Sequence, residues 1–558
     1  MMESRMLLAD AGKRQAQSPK QRLSSWLAPS AACLASLLLL GCGGSDGTGT
    51  AAAPTATAAS FSVAKAACGP GDKPEPDLQG QVSAAVRTAG FKGYSCNLEL
   101  VSQYKGDGAS WQFAWFQDRA GHKCAYYDTS VLKNDGISRS ATQIGTIVLD
   151  ISDPANPKQT ANLTTTSMLD PWESLKVNER RQLLGATQAT NGKGGPQLDL
   201  YDLSGDCRTP QLLSSVAIGT AGNGDAAALP AGYDLQGHEG NFSPDGLTWY
   251  NGDRGAVKKY TAIDISNTIH PKLLTTWDLP LVPTVVLTTH GLNISPDGNR
   301  AYVSRAGVLG SVATNDLKTA PEVDGMIILD TSEVQKRLPN PKIKQVGMVT
   351  WRDSGQAQHT IDIIVKGKQY VVVASELGTG GNSPAGWAAS CAAGLSPFHT
   401  ARIVDIADET KPVVVSKLFL EAYDPANCSK VLPDLAGLSS FTYGSHYCSV
   451  DNKDNATTLA CGYFNSGIRV FDIRDVANPK EIAYFNPPGV TTISNGSNHN
   501  RAGGWVSGGP DWCNSQIRLD AATASLQTIC QDNGFLSLKF KNGVWPFPES
   551  TTPAGKQN

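Results

Sequence analysis

The chain has no Cys-x-x-Cys pair among its 12 cysteines, no His-Glu-x-x-His motif, no glycine-rich phosphate loop and no block of lysines and arginines. These absences remove, in turn, zinc ribbons and thioredoxin-type redox sites, the helix-borne zinc hydrolases, phosphate-loop nucleotide chemistry, and a surface that tracks a nucleic-acid backbone. A single Gly-x-Ser-x-Gly, from Gly43 to Gly47, lies in a low-complexity stretch where no nucleophile elbow can form. Only 17% of residues are charged and the net charge is −3, so charge names no partner and nucleic acid is not expected as one. Histidine is scarce too, with eight in 558 residues, so any pattern among the histidines carries weight. What the chain does have is 40% hydrophobic residues, 56 glycines and 32 prolines. That composition predicts a large core cut by many turns.

The N-terminus reads as an export signal. Lys13, Arg14, Lys20 and Arg22 precede an apolar run from Leu34 to Leu40, too short for a permanent bilayer span. An ordinary signal peptide would be cut at a small residue after that run. Leu39-Leu40-Gly41-Cys42 resembles the bacterial lipobox, which implies that Cys42 becomes the lipid-modified first residue of the mature chain. Gly43 stands where an aspartate would be associated with inner-membrane retention. The expected membrane partner is therefore a lipid anchor. The expected location is the bacterial cell envelope, as an outer-membrane lipoprotein facing the periplasm or the surface. Setting Cys33 and Cys42 aside leaves ten cysteines, and an even number in an exported chain predicts up to five disulfides of open connectivity.

Two patterns recur along the chain. The first is a β-branched run ending in aspartate, then a polar turn with proline, then another strand-like run. It is clearest as GTIVLDISDPANPKQTANL from Gly145 and GIRVFDIRDVANPKEIAYF from Gly467. The run-ending aspartates are Asp150, Asp202, Asp264, Asp330, Asp405 and Asp472. Aspartate at a strand end accepts from turn N–H groups while proline ends the pairing, so these residues read as architecture. Each unit of roughly 50–70 residues holds about four short strands, the size of a propeller blade.

The VLDISDPANPK form resembles the LVIVD repeat of bacterial cell-surface proteins, over most of the chain after about residue 95. That resemblance implies a β-propeller and a binding or interaction role. The fold predicted is all-β, a propeller most simply of seven four-stranded blades, six and eight being the alternatives. A degenerate seventh unit runs from Asn498 to Phe540, and Cys96 to Ser102 reads as an orphan strand that closes the ring on the C-terminal strands. The expected organisation is a signal peptide over 1–41, a tether over 42–67, the propeller over 68–545 and a tail over 546–558.

The second pattern is histidine-led. HEGNFSPDG from His238 and HGLNISPDG from His290 keep the same interval to the turn glycine, and HTIDIIVKG from His359 repeats it. HYCSVDNKD from His446 follows with Asp454 at the glycine, ESLKVNERR puts Glu173 at the histidine position, and His499 sits loosely nearby. All six fall at the start of a blade's first strand, at the mouth of the central channel. Imidazoles and a carboxylate there suit a transition metal such as copper or zinc. Only neighbours, such as His290 and His359, or residues leaning inward are expected to share an ion. The alternative is that each histidine bonds backbone inside its own blade.

Arg254, Arg305, Glu376 and Tyr463 follow the second strands on the same face and are candidate ligand-binding residues for a protein or small molecule at the mouth. The insertion from Gly378 to Pro397 reads as a lid, a wall or a disulfide-tied surface loop. Two functions stand. One is a lipid-anchored envelope scaffold with a His-lined ligand or metal site. The other is a copper-type propeller oxidoreductase, similar in arrangement only to selenium-binding protein and methanethiol oxidase. No catalytic residue is named by sequence, and an enzyme, if there is one, would be a metal-dependent oxidoreductase.

Overall fold

The computed structural model describes residues 61–105, 111–129, 144–188, 198–218, 238–252, 259–280, 282, 287–307, 316–381, 383–436, 438, 441–491 and 509–551. Cys42, Arg254 and His499 lie outside them. Strands dominate, in seven antiparallel sheets, so the fold is the seven-bladed propeller. Among the described residues no helix is long and apolar enough to cross a membrane.

The first blade runs Phe113–Gln117, Lys123–Tyr127, Thr146–Asp150 and Lys158–Leu163. The innermost strands of the next five blades are Lys176–Asn178, Glu239–Phe242, Leu287–Ile294, Gly355–Val365 and Ser445–Val450. Arg518–Asp520 opens the seventh. These first strands lie against one another from blade to blade and so line the axis. The repeat explains the layering within each blade. Third strands such as Thr146–Asp150 are apolar on both faces and buried between neighbouring blades, whereas fourth strands such as Lys158–Leu163 alternate between exposed and covered.

Ring closure follows the sequence expectation and adds to it. The segment Leu98–Tyr104, here β2, pairs antiparallel with Gly534–Phe540 as the outermost strand of the seventh blade. Just before it, Tyr94–Cys96, here β1, pairs with Lys480–Asn486 as a fifth strand on the sixth blade. Asn97 carries the chain from one blade to the other at φ 58°, and its side-chain amide donates to the carbonyls of Ala67 and Ile482. One residue thus staples the two blades between which the chain closes. Upstream, Val63 donates to the Phe419 carbonyl and Ala64 bridges Lys480, so the end of the stretch read as tether packs on the fifth and sixth blades. At the other end, Ser550 is buried against Thr457, inside the stretch read as tail.

All ten cysteines pair, as Cys68–Cys96, Cys124–Cys207, Cys391–Cys428, Cys448–Cys461 and Cys513–Cys530. The insertion after Gly378 contains the helix Pro384–Ala392, is tied by Cys391 to Cys428, and sinks Trp387 into the core.

Candidate metal centre

Five blades send side chains into one buried cluster on the axis, arranged as two triads that share Glu173. Glu173 precedes the second blade's first strand, His238 the third's, and His290 and His446 lie within those of the fourth and sixth. Glu376 comes from the fifth blade's second strand, Lys368–Leu377. Glu173 Oε2 lies 3.0 Å from His238 Nε2 and 3.5 Å from His290 Nε2, while Glu173 Oε1 lies 3.0 Å from His446 Nε2. Glu376 approaches from the other side, 3.7 Å from His290 Nε2 and 3.9 Å from His446 Nε2. Glu173–His238–His290 and Glu173–Glu376–His446 are each compact enough to hold one ion.

β-Bulges aim the rings. In the fourth blade the ladder slips between Thr289 and Leu292, and in the sixth between Ser445 and Cys448, so each bulge contains the histidine. A bulge re-aims a side chain that regular pleating would direct elsewhere. In the fifth blade the slip falls between Ala357 and His359, one residue earlier. His359 is back in the ladder opposite Ala374, and its ring meets Glu239 instead, Nδ1 to Oε1 at 3.2 Å. Two expectations are thereby corrected. His359 does not join His290, and contact is not limited to neighbouring blades, because Glu173 of the second blade also faces His446 of the sixth.

The electrostatics of this point are unusual. His290 Nδ1 lies 3.1 Å from the Gln358 carbonyl oxygen, and His446 Nδ1 lies 3.3 Å from that of Asn514. A carbonyl only accepts, so His290 Nδ1 donates, and its neutral ring presents the Nε2 lone pair to the carboxylates. Neither Glu173 oxygen, nor His238 Nε2, nor His446 Nε2 has a hydrogen-bond partner of acceptable geometry. Lone pairs facing carboxylate oxygens repel unless a proton or a metal ion lies between them. Burial opposes ionisation of Glu173, but when the His238, His290 and His446 rings carry a second proton their charge outweighs it and holds the carboxyl well below the usual range. The donor set of imidazole nitrogens and carboxylate oxygens suits a borderline divalent metal, and the Nδ1-to-carbonyl bonds are the support that orients such ligands.

Aromatic rings close the site on one side. Trp111 stacks on Trp172 at 4.7 Å, and they approach His446 and His238 at 5.4 and 6.1 Å. Phe464 packs on His446 at 5.2 Å and on Trp512 at 5.1 Å. On the other side lies Glu239, fully buried. It accepts from Tyr447 Oη at 3.0 Å, lies 3.5 Å from Lys176 Nζ, and comes within 3.9 Å of His290 Nδ1. Gly291 makes this approach feasible, because a Cβ there would overlap both the Gln358 carbonyl oxygen and a Glu239 oxygen.

The remaining predicted residues go elsewhere. Glu376, expected at the rim, belongs to the buried cluster, where Gln356 donates to it. Arg305 is buried and donates to the Val323 carbonyl within its own blade region, so its guanidinium is engaged by backbone. Tyr463 is fully buried in the core around Tyr423. Sequence reading passed over Glu239, Tyr447, Lys176 and Trp172. Glu239 and Tyr447 directly follow the quoted histidines, and a charged residue in an axis-lining strand was the available signal.

No protein-family model matches the chain, and comparison with curated proteins finds no match. Among solved structures the chain is similar to the periplasmic gluconolactonase of Pseudomonas aeruginosa, at 12% identity and a TM-score of 0.44, over 76% of this chain and 93% of that one. It is also similar to the hydrazine synthase of Kuenenia stuttgartiensis, at 12% identity and a TM-score of 0.44, over 79% and 98%. A third is the Cps50 propeller domain of Myceliophteria thermophila, at 9% and 0.41, over 79% and 98%. These are likenesses of fold alone.

Proposed function

We propose that this protein is an envelope metalloprotein whose propeller channel holds one transition-metal ion, copper or zinc, on His238, His290, His446 and Glu173, with Glu376 beside it. The observation that carries the reading is the convergence of three Nε2 atoms on carboxylate oxygens in a buried place. A purely structural histidine would spend its ring on backbone inside its own blade, and these rings point to the axis. Elemental analysis of the purified mature chain, after mild and then harsh chelation, tests it. About one equivalent of metal should survive the mild step. A folded chain that takes up no copper or zinc overturns the proposal.

An oxidoreductase is the second reading, favoured by the apolar wall of Trp111, Trp172, Phe464 and Trp512 around the imidazoles. Such a shell limits water access and tunes the potential of a redox-active ion. The envelope location rests on the lipobox resemblance at Cys42, and the wider LVIVD-type resemblance of the repeats is consistent with it. Cys42→Ser should release the protein from the membrane fraction or block its maturation. Unchanged processing and membrane association would rule out the anchor.

A further inference from the structure

The channel also holds a cavity lined by residues on or beside the first strands of all seven blades, among them Lys176 and His359, the partners of Glu239. Its polar lining comprises Gln112, Lys176, Asn241, Asn293, Lys453 and Gln516, with His359 and Ser449, and it includes no carboxylate. The side-chain amides there are oriented by their own partners. Gln516 Oε1 accepts from the Phe113 N–H at 3.0 Å, which fixes Gln516 Nε2 as the donor to Gln112 Oε1 at 2.9 Å. Gln112 Oε1 also takes Lys176 Nζ at 3.2 Å. Asn241 Oδ1 accepts from the Phe242 N–H at 2.9 Å, and Asn293 Oδ1 accepts from Lys453 Nζ at 3.2 Å.

Three amide oxygens are therefore engaged by fixed donors. An amide has one acceptor end and one donor end, so Gln112, Asn241 and Asn293 are left presenting NH2 groups. Gln112 is fully buried, and its Nε2 has no partner. A buried donor without an acceptor costs roughly 1–3 kcal/mol, which an acceptor-rich ligand would recover. The lysines add donors but little net charge, because Glu239 faces Lys176 at 3.5 Å and Asp362 faces Lys453 at 3.2 Å from outside the lining. Leu175, Val177, Ile361 and Val450 supply an apolar wall.

We propose that this cavity is a binding site for a small organic acid, whose carboxylate accepts from Gln112, Asn241 and Asn293 while its hydrocarbon part packs on the apolar wall. A polar face rich in amide and ammonium donors selects for oxygen acceptors, and the wall selects for an organic body over an inorganic oxyanion. None of the residues that line it belongs to the proposed metal ligands.

Ligand-observed NMR and calorimetry on the purified full chain test this with butyrate and butyramide, nearly equal in shape, the amide being uncharged and carrying a donor NH2 in place of one acceptor oxygen. Butyrate should bind saturably and butyramide at least roughly tenfold more weakly. Asn241→Asp and Asn293→Asp keep the engaged oxygen and replace the donor with an acceptor. Each should weaken butyrate about tenfold, with melting temperature and zinc uptake unchanged. The wild-type comparison needs no variant to fold. Absence of saturable butyrate binding, equal binding of butyramide, or undiminished binding by both aspartate variants would overturn the proposal.

Discussion

Asp150, Asp202, Asp264, Asp330, Asp405 and Asp472 each accept from the backbone N–H two residues on, at 2.8–3.0 Å, inside their own turns. His238, His290 and His446 recur at a comparable period, but their contacts run to other blades, two of them to Gln358 and Asn514 backbone and all three to Glu173. The first set is repeated because every blade needs the same turn. The second is repeated because the axis is the one place where equivalent positions of different blades meet. Repetition alone does not separate architecture from function; the partner's distance along the chain does.

That contrast predicts unequal damage. Deleting the chain through Ser102 removes one closing strand and all but two residues of the other and should abolish cooperative unfolding, whereas deletion to Ser60 should leave it intact. Equal melting curves for the two truncations would remove closure from the account. Glu173→Gln removes the charge and replaces one of the two oxygens that the imidazoles face with an NH2 group. It should weaken zinc binding on the order of 100-fold or more, measured by competition with a chelator. Gly291→Ala should cost roughly 10- to 100-fold in the same assay, since a methyl there displaces the support of His290.

Two buried carboxylates sharpen the comparison by pH. Glu173, among imidazoles, is held low. Asp324 is pushed up to about 6 by burial, despite hydrogen bonds from the Ala357 N–H and Trp351 Nε1 and the nearby charge of Arg402. Its folded value exceeds its unfolded one, so the native state binds the extra proton between roughly pH 4 and 6. Stability should be greatest below that window, fall by about 3 kcal/mol as pH rises through it, and then level off. Denaturant melts of wild type and Asp324→Asn check this, the variant losing that slope. Smallest of all, Asp405→Ala removes one exposed turn bond and should cost about 1 kcal/mol, with zinc affinity untouched.

Much of the fold was legible because each blade writes its own third strand, aspartate turn and fourth strand in local sequence. The closing role of the strand near Leu98 was readable too, since it stood apart from any complete unit. The fifth strand from Tyr94 to Cys96 was not, because three residues carry no period. The site was half legible. A constant interval to the turn glycine located His238, His290 and His359, but the interval says nothing about where a bulge falls. A slip of one residue turned His359 away and let Glu376, from a second strand, take part instead. Glu239 stood in plain view in HEGNF, yet its role depends on Lys176, His359 and Tyr447 from three other blades, which no local pattern links.

Imidazoles from three blades and the Glu173 carboxylate are proposed to hold one metal ion, and X-ray absorption at the metal edge of the zinc- or copper-loaded full chain tests this directly. Only nitrogen and oxygen donors are expected, with scattering from three imidazole rings in the wild type and loss of the bound metal in Glu173→Gln. A spectrum showing sulfur donors, a single imidazole, or a bound metal unchanged in Glu173→Gln would contradict it.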